Sequence, residues 1–347
     1  AVIDDLTFKN YNIDLGSDEK VTLLEPRNVE DGYLVESGFV TSNQNIDIPN
    51  SDSVWSVIGK DELTNQSSIK LTWTNKQGIT FEKEISLDGK YLFTIKQSVI
   101  NSTNNKYDFY TYGQIIRNKI PEISNFYILH EGLIATLDDE LIEEDYDDIQ
   151  DKKFSRTAQK GWLGIGDKYW ITSLIPPREK EFKTTFDYKK KFRANFIATE
   201  PLKLDSNAKI EEEFQVIIAA KRVDIIDGYA ETLNIDKFDL AIDWGFLYFI
   251  TKPLFFGIDY FFKQLGTYGL AIIAITICIR LAFFPLANFS FRSRAKMKAL
   301  QPEMVRVKGL QKDDKMRHQT EIVAVNKRDK GNQKEGGEQL RNRMRGM

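Results

Sequence analysis

Apolar and polar residues alternate along roughly the first two thirds of the chain. The segment SIKLTWTN places Ile69, Leu71 and Trp73 at every second position, and ITFEKEISL and YLFTIKQSV continue the alternation. A period of two turns one face of a β-strand toward a core and the other toward solvent. Asp88-Gly89, between the last two runs, is a strong signal for a hairpin turn. These segments are therefore predicted to be consecutive antiparallel strands.

Three later segments show the same pattern, namely KYWITSLIP, FRANFIATE and KIEEEFQVIIAAKR. Short strands that repeat without helices between them indicate two packed antiparallel sheets. The first part of the chain is thus predicted to be mainly β, a large antiparallel sandwich. After Val223 the spacing of apolar residues becomes helical, and VDIIDGYAETLNI predicts a short helix that closes this domain.

Two stretches inside the predicted sandwich contain residues that functional sites also use. DDELIEEDYDDIQD, residues 138–151, is densely acidic but lacks the ordered spacing and central glycine of a calcium loop. We expect a solvated loop or an exposed strand edge there. GWLGIG, residues 161–166, lacks the Lys-Ser/Thr that follows a phosphate-binding glycine loop. Its glycines are expected at turns and bulges.

The next segment, DWGFLYFITKPLFFGIDYFF, is rich in aromatic residues at helical spacing and is interrupted by Pro253. It carries too many polar residues for a membrane span, and an amphipathic helix at the membrane interface fits better. A helix packed on the sandwich is the alternative. The residues expected at the interface are Trp244, Phe246, Leu247, Tyr248 and Phe255.

Residues 265–286 are almost wholly apolar and match the ~20 residues that a helix needs to cross a bilayer. Arg280 is the only charge within them. The basic residues that follow place the end of this helix in the cytoplasm by the positive-inside rule, and the β domain outside, in a bacterial periplasm or its equivalent. Those basic residues are Arg292, Arg294, Lys296, Lys298 and Arg306.

The remaining residues are predicted to be a charged helical segment and a tail. Pro302 marks a break or a first helical turn in the segment, and the basic, weakly apolar tail is expected to be disordered. The predicted divisions are 1–240 for the β domain with its closing helix, 241–263 for the interfacial helix, 265–286 for the transmembrane helix, 287–325 for the cytoplasmic helical arm and 326–347 for the tail.

Composition narrows the function classes. The net charge of −3 gives no reason to expect nucleic-acid binding, and one cysteine excludes an intrachain disulfide framework. Two histidines far apart in sequence argue against a histidine-rich metal site. We expect no cofactor, no metal and no catalytic residues. An enzyme ranks third among the functions considered, with His130 and Glu131 as the only candidate acid–base pair.

A charge inside a membrane helix needs an explanation, because an arginine at the centre of a lone helix costs ~2.5–3.5 kcal/mol on insertion scales. Arg280 could snorkel to the headgroups, pair with an acid on another helix, or line a wet cavity open to the cytoplasm. Thr276 lies one turn earlier on the same face. This small polar stripe favours the cavity.

An ordered set of segments resembles the YidC membrane protein insertase family of Gram-negative bacteria. The segments are QGITFEKEISLDGKYLFTIKQSVIN, YGQIIR, ILHEGLIA, GWLGIGDKYWITSLIPP, FDLAIDWGFLYFITKPLF, IRLAFFPL and MKALQPEM. The match runs from residue 1 to about residue 317. It implies a mutarotase-like β-supersandwich in the periplasm, an interfacial helix, and a transmembrane helix in the bacterial inner membrane that forms part of a hydrophilic groove.

The resemblance also implies residue roles and partners. Arg280 and Thr276 would line the groove, and Arg292, Lys296, Lys298 and Pro302 would belong to a cytoplasmic helical hairpin. The implied partners are nascent membrane proteins, the Sec translocon with its accessory subunits, the phospholipid bilayer and, as a further candidate, the ribosome, with no other nucleic acid.

The family pattern contains further transmembrane helices, so we expect this chain to be an incomplete insertase. The alternative function is a periplasmic binding module, for carbohydrate or peptide, tethered to the membrane by one helix.

Overall fold

Eighteen strands form three antiparallel sheets within the residues that this computed structural model describes, namely 1–43, 45–121, 130–245 and 247–310. The strands are β1 Val2–Ile3, β2 Leu6–Asn12, β3 Lys20–Leu24, β4 Tyr33–Val40, β5 Ser56–Ile58, β6 Ile69–Thr74, β7 Ile79–Leu87, β8 Leu92–Asn101, β9 Tyr107–Arg117, β10 Gly132–Leu137, β11 Glu140–Asp145, β12 Phe154–Ala158, β13 Gly161–Gly166, β14 Trp170–Ile175, β15 Phe182–Tyr188, β16 Phe192–Ala198, β17 Leu202–Leu204 and β18 Lys209–Ala220.

Four α-helices and one 3-10 helix complete the described part of the chain. They are α1 Tyr146–Asp151, α2 Val223–Thr232, the 3-10 helix Phe238–Ala241, α3 Tyr248–Leu265 and α4 Tyr268–Leu310. The chain divides into two units, Ala1–Phe246 and Leu247–Met347. The first unit holds all the strands, and the second holds α3 and α4.

Two large sheets form the sandwich. The nine-stranded sheet runs in the order β11-β10-β13-β14-β18-β8-β7-β6-β5, and the other runs β1-β4-β9-β16-β15-β12, with β17 also paired to β9. The hairpin β2-β3 is a separate two-stranded sheet. The predicted mainly β, antiparallel fold is confirmed, and the alternating segments of the sequence coincide with β6, β7, β8, β14, β16 and β18.

The predicted Asp-Gly turn joins β7 to β8. Gly89 has a φ of 84°, a region that glycine enters without steric cost. The Asp88 carboxylate oxygen Oδ1 accepts hydrogen bonds from the backbone N–H groups of Lys90 and Leu92 at 2.8 and 3.1 Å. This local bonding fixes the register, in which Leu87 lies opposite Phe93.

The core lies between the sheets and continues beneath the closing helices. The rings of Phe196 and Phe214, from opposite sheets, meet edge to face with their centroids 5.4 Å apart. On the outer face of the nine-stranded sheet, the fully buried Trp162 meets Phe238 of the 3-10 helix at 5.0 Å. Helix α2 is fastened by the Tyr229 hydroxyl, which donates to Asp88 Oδ2 at 2.8 Å. The closing helix predicted after Val223 is therefore confirmed.

The acidic stretch 138–151 is more ordered than a solvated loop. Its first half forms β11, the edge strand of the nine-stranded sheet, as one of the two expectations had it. Its second half forms α1, whose Tyr146 and Ile149 are buried. Helix was not predicted here because Tyr146 and Ile149, the two residues at helical spacing, lie in a stretch with nine acidic residues. No group of three or more metal-ligating side chains suited to a metal ion occurs among the described residues.

The expectation that the glycines of GWLGIG lie at turns and bulges was wrong, because the segment is the strand β13, which pairs with β10 and β14 without a register shift. Gly164 pairs with Ser173 of β14. A Cβ atom there would lie 2.3 Å from the Thr172 carbonyl oxygen and 2.9 Å from the Ser173 Cα atom. The glycine is therefore required because two backbones approach closely here, which is a common reason for a glycine inside a strand.

Helix α3 begins at Tyr248, later than the predicted boundary at 241, and Pro253 lies inside it. Helix α4 runs without interruption from the predicted span into the basic segment and includes Pro302. The prediction of a helix break or a first turn at this proline was wrong. The proline removes one backbone hydrogen bond and is accommodated within the helix.

We predict that Gly164→Ala destabilises the β domain by about 1–3 kcal/mol or more, because the methyl group must displace backbone atoms of β14. Urea unfolding followed by tryptophan fluorescence measures the change. Gly228→Ala in α2 is the matched control, since a Cβ atom there meets nothing within 4 Å. This control is expected to gain up to about 1 kcal/mol. Equal effects of the two substitutions would contradict the close approach.

Candidate functional site

The most apolar part of the chain is the first half of α4. Residues Tyr268–Arg292 form a 25-residue helical segment, and its most apolar 18 residues have a mean hydropathy of 2.4. At a rise of 1.5 Å per residue this is about 37 Å long, enough to cross the ~30 Å hydrocarbon core of a bilayer. Only 6% of its most apolar window is buried by protein. The segment therefore has the length, composition and exposed surface of a membrane-spanning helix.

Helices α3 and α4 form a hairpin that defines one face of α4. Gly266 ends α3 with a φ of 74°, and its N–H donates to the Phe262 carbonyl oxygen at 2.8 Å. Immediately afterwards, the rings of Phe262 and Tyr268 stack with centroids 4.0 Å apart and an interplanar angle of 11°. Ala271, one turn into α4, is fully buried.

The contact continues along the hairpin through a glycine of α3. A Cβ atom built at Gly257 would lie 2.8 Å from the Ile275 Cδ1 atom. Ile275 is therefore seated against the α3 backbone, one turn beyond the buried Ala271. Ala271 and Ile275 mark the face of α4 that α3 covers.

Arg280 lies on the opposite face of α4. It is nine residues after Ala271, about two and a half turns, and thus about half a turn around the helix axis. Its side chain is exposed, and no carboxylate of the described residues forms an ion pair with it. The only charge between Tyr268 and Phe291 therefore faces away from α3, the helix that packs on this segment within the described residues.

Thr276 lies on the same side of α4 as Arg280, and its hydroxyl proton is already used in a hydrogen bond within the helix. Its hydroxyl donates to the Ile272 carbonyl oxygen at 2.7 Å, the usual back-bond of a threonine in a helix. The hydroxyl oxygen keeps lone pairs that can accept a hydrogen bond, whereas the Arg280 guanidinium only donates. The pair predicted from sequence therefore offers acceptor and donor groups about one turn apart.

The surface of α3 is aromatic and largely exposed. Tyr248, Phe249, Phe255, Phe256 and Tyr260 are all at least 40% exposed. Its charges include Lys263 and Asp259, which form an ion pair at 2.6 Å. Exposed aromatic rings with few charges are typical of helices at a membrane interface.

The five residues predicted for the interface do not all belong to α3. Tyr248 and Phe255 lie in the helix, and Leu247 is its N-cap. Trp244 precedes the helix, and its indole N–H donates to the Asp239 carbonyl oxygen in the first unit. Phe246 lies outside the described residues. The interfacial position of this segment stays a prediction.

The four residues predicted for a cytoplasmic hairpin all lie on α4. Arg292 and its neighbour Arg294 are exposed, and Lys296, Lys298 and Pro302 follow in the same helix. A return arm of the hairpin would fall beyond residue 310, outside the described residues, and stays a prediction.

The candidate acid–base pair, His130 and Glu131, is adjacent in sequence, but each side chain has a different hydrogen-bond partner. His130 Nδ1 lies 3.0 Å from Asp145 Oδ1, whereas Glu131 Oε1 accepts the Lys168 N–H at 2.8 Å. Nearby, Arg117 and Asp167 form a salt bridge at 2.5 Å with both side chains 12% exposed. Sequence reasoning missed this pair, because its members come from strands fifty residues apart and follow no local motif.

Comparison with known proteins assigns both parts of the chain. A family model described as the YidC periplasmic domain matches residues 1–256, and one described as the 60Kd inner membrane protein matches residues 260–337. The membrane protein insertase YidC of Pelagibacter ubique (strain HTCC1062) is 67% identical over 336 residues, which cover 97% of this chain and 60% of that protein.

A more distant relative gives the same result. The membrane protein insertase YidC of Rickettsia bellii (strain OSU 85-389) is 38% identical, over 95% of this chain and 60% of that protein. The chain thus spans less than two thirds of the length of these relatives. Among solved structures, a galactose mutarotase related enzyme from Lactobacillus acidophilus aligns with a TM-score of 0.37 and 11% identity, over 48% of this chain and 71% of that chain.

The assignment of helix faces gives a direct prediction. In a Cys278→Ala background, Gly257→Cys with Ile275→Cys is expected to form a disulfide on mild oxidation, because the two side chains meet between α3 and α4. Gly257→Cys with Thr276→Cys is the matched control and is expected to stay reduced. The readout is the loss of maleimide-polyethylene glycol labelling on a denaturing gel. Efficient oxidation of the control pair would show that Thr276 faces α3.

Proposed function

The chain belongs to the YidC membrane protein insertase family, and on that premise we propose that it supplies one wall of a hydrophilic groove through which nascent inner-membrane proteins enter the bilayer. The observation that carries the proposal is Arg280, a permanent charge on an apolar helix, facing away from α3 and without an acidic partner among the described residues. The proposal concerns the whole protein to which these helices contribute.

Of the three ways to satisfy the Arg280 guanidinium, contact with water makes the fewest demands on the rest of the protein. Snorkelling requires the guanidinium to reach the headgroups from Arg280, about 18 Å along the axis from Arg292 at the end of the span. An ion pair requires an acid on another helix. A water-filled groove satisfies the guanidinium without either, and the acceptor oxygen of Thr276 lies on the same side.

Such a groove acts by lowering the desolvation cost of a client's polar segment. Moving unpaired polar groups into hydrocarbon costs several kcal/mol each, so a polar recess shortens the distance over which this cost applies. Burial of the client's apolar helix in lipid then drives insertion. Arg280 attracts acidic residues of the translocating segment, by about 1 kcal/mol in water at 4 Å and more where the surroundings are less polar. No nucleotide or metal takes part in these steps.

The flanking segments fit the same arrangement. Arg292 and Arg294 at the end of the span supply the positive charge that stays in the cytoplasm. By the same rule the β domain lies in the periplasm, and the exposed aromatic residues of α3 lie at the membrane–water interface. Nascent membrane proteins are the proposed clients, with the Sec translocon and the ribosome as proposed partners in delivery.

We predict that Arg280 determines the rate for acidic clients. In the Pelagibacter ubique relative, the matching region is replaced by this chain, and the resulting chimera is expressed in an insertase-depleted strain. Arg280→Leu is expected to slow insertion of a reporter with an acidic translocated segment about tenfold, a loss of about 1.4 kcal/mol of attraction. A reporter with a neutral segment is expected to change far less, and Arg280→Lys to retain most activity.

Arg292→Leu, the same substitution at the end of the span, is the matched control and is expected to leave the ratio between the two reporters unchanged. Protein abundance is measured in parallel by immunoblot. An equal slowing of both reporters by Arg280→Leu, at normal abundance, would contradict a role in attracting acidic segments.

A further inference from the structure

A cleft of about 340 Å³ opens at one end of the β domain, where all three sheets converge. Its wall includes Tyr33 at the start of β4, Arg117 at the end of β9, and Glu131 just before β10. Asp167, directly after β13, and Trp170, the first residue of β14, complete this part of the wall. The volume falls at the lower end of the range that small-molecule sites occupy. The cleft plays no part in the proposed passage of clients along α4.

The floor of the cleft is built around a buried guanidinium. Arg117 Nη1 donates to Asp167 Oδ1 at 2.5 Å and to the Tyr146 hydroxyl at 3.2 Å. Its Cζ atom lies 4.6 Å from the centre of the Tyr33 ring, which is opposite Arg117 in the β4–β9 register. Burial opposes the charge on Arg117, but attraction to Asp167 outweighs burial and raises the pKa of the guanidinium.

Several hydrogen-bonding groups of the floor have no partner among the residues that the structure describes. Arg117 Nε and Nη2 and Asp167 Oδ2 make no hydrogen bond to a described residue. Glu131 Oε2 is buried and also without a partner among the described residues. Buried polar groups are nearly always paired, and a buried ion pair contributes little stability of its own. A domain that keeps unfilled donors and acceptors side by side in a cleft has the features of a ligand site.

The charge of the cleft limits the ligand chemistry. Its wall contains four carboxylates, those of Glu25, Asp31, Glu131 and Asp167, against the cations Arg117 and Lys168. This excess of negative charge disfavours phosphate and carboxylate ligands. A cationic ligand offers no acceptor to the free N–H groups of Arg117 and would leave them unfilled. A neutral ligand avoids both costs.

Hydroxyl groups match the unfilled positions because each can donate to a carboxylate and accept from a guanidinium. The aromatic residues of the wall, Tyr169 and Trp170, add apolar surface beside these polar groups. A pyranose ring offers the same combination, an apolar C–H face with hydroxyl groups at its rim. We propose that this cleft binds a neutral sugar or a similar cyclic polyol, held by Arg117, Asp167 and Glu131.

The experiment uses the full chain in detergent micelles, with D-glucose, D-galactose and N-acetyl-D-glucosamine as the sugar probes. Argininamide and inorganic phosphate are the charged probes. Saturation-transfer NMR and titration calorimetry measure binding at up to about 10 mM, which covers weak single-site affinities. At least one sugar is expected to bind, and to bind more tightly than either charged probe.

Two variants test the residues. Glu131→Gln removes the buried acceptor without touching the Arg117–Asp167 pair, and Asp167→Asn alters the pair itself. Each is expected to weaken sugar binding at least about tenfold, the effect of losing one charged hydrogen-bond partner. Asp187→Asn is the matched control. Asp187 is as buried as Asp167, and its Oδ1 atom lies 2.6 Å from Arg193 Nε in an ion pair outside the cleft.

Circular dichroism establishes that each variant is folded, and Glu131→Gln decides the question alone if Asp167→Asn unfolds. Failure of all three sugars to bind would overturn the proposal. So would unchanged sugar affinity in Glu131→Gln, or preferential binding of argininamide or phosphate. None of these outcomes bears on insertion through α4, which is measured separately.

Discussion

A guanidinium in an apolar helix is the constraint on which the membrane unit depends. Arginine cannot lose its proton at physiological pH, so it must find water, headgroups or an acid. Helix α3 supplies none of these, because it packs on Ala271 and Ile275 and Arg280 lies on the far side of α4. The hairpin thus leaves the Arg280 face of α4 uncovered among the described residues, so water, lipid headgroups or another part of the protein must satisfy the guanidinium.

The β domain obeys a different constraint, the burial of alternating side chains between two sheets. Phe196 and Phe214 meet at the centre, and Trp162 carries the core through the nine-stranded sheet to Phe238. Helix α2 is fixed to this sheet by the Tyr229 hydroxyl on Asp88. Polar side chains also meet at the ends of several strands. Arg117, Asp167 and Glu131 lie at such an end, where a cleft remains.

The sequence predicted those features that depend on local periodicity. Alternation located β6, β7 and β8, the Asp-Gly pair located their turn, and the length of the apolar run located the span of α4. It did not predict the role of Gly164, because a close approach between β13 and β14 depends on pairing across the sheet. The continuity of α4 through Pro302 was missed, because a proline lowers helix propensity without always ending a helix.

Contacts between residues far apart in sequence could not be predicted. The Arg117–Asp167 pair could not be found before the ends of β9 and β13 were brought together. Thr276 and Arg280 could be placed on one face by their spacing, but which face α3 covers became known only from the Gly257–Ile275 contact.

Water accessibility along α4 tests the central claim most directly. Single cysteines are placed at Thr276, Arg280, Ile279 and Leu281 in a Cys278→Ala background, in the full-length chimera in inverted inner-membrane vesicles. Ile279 and Leu281 are exposed controls at the same depth as Arg280 and about 100° around the helix axis on either side of it. A membrane-impermeant maleimide is then added from the cytoplasmic side. The account predicts rapid labelling at Thr276→Cys and Arg280→Cys, and slow labelling at Ile279→Cys and Leu281→Cys. Equally slow labelling at all four positions would show that Arg280 faces lipid and would contradict the groove.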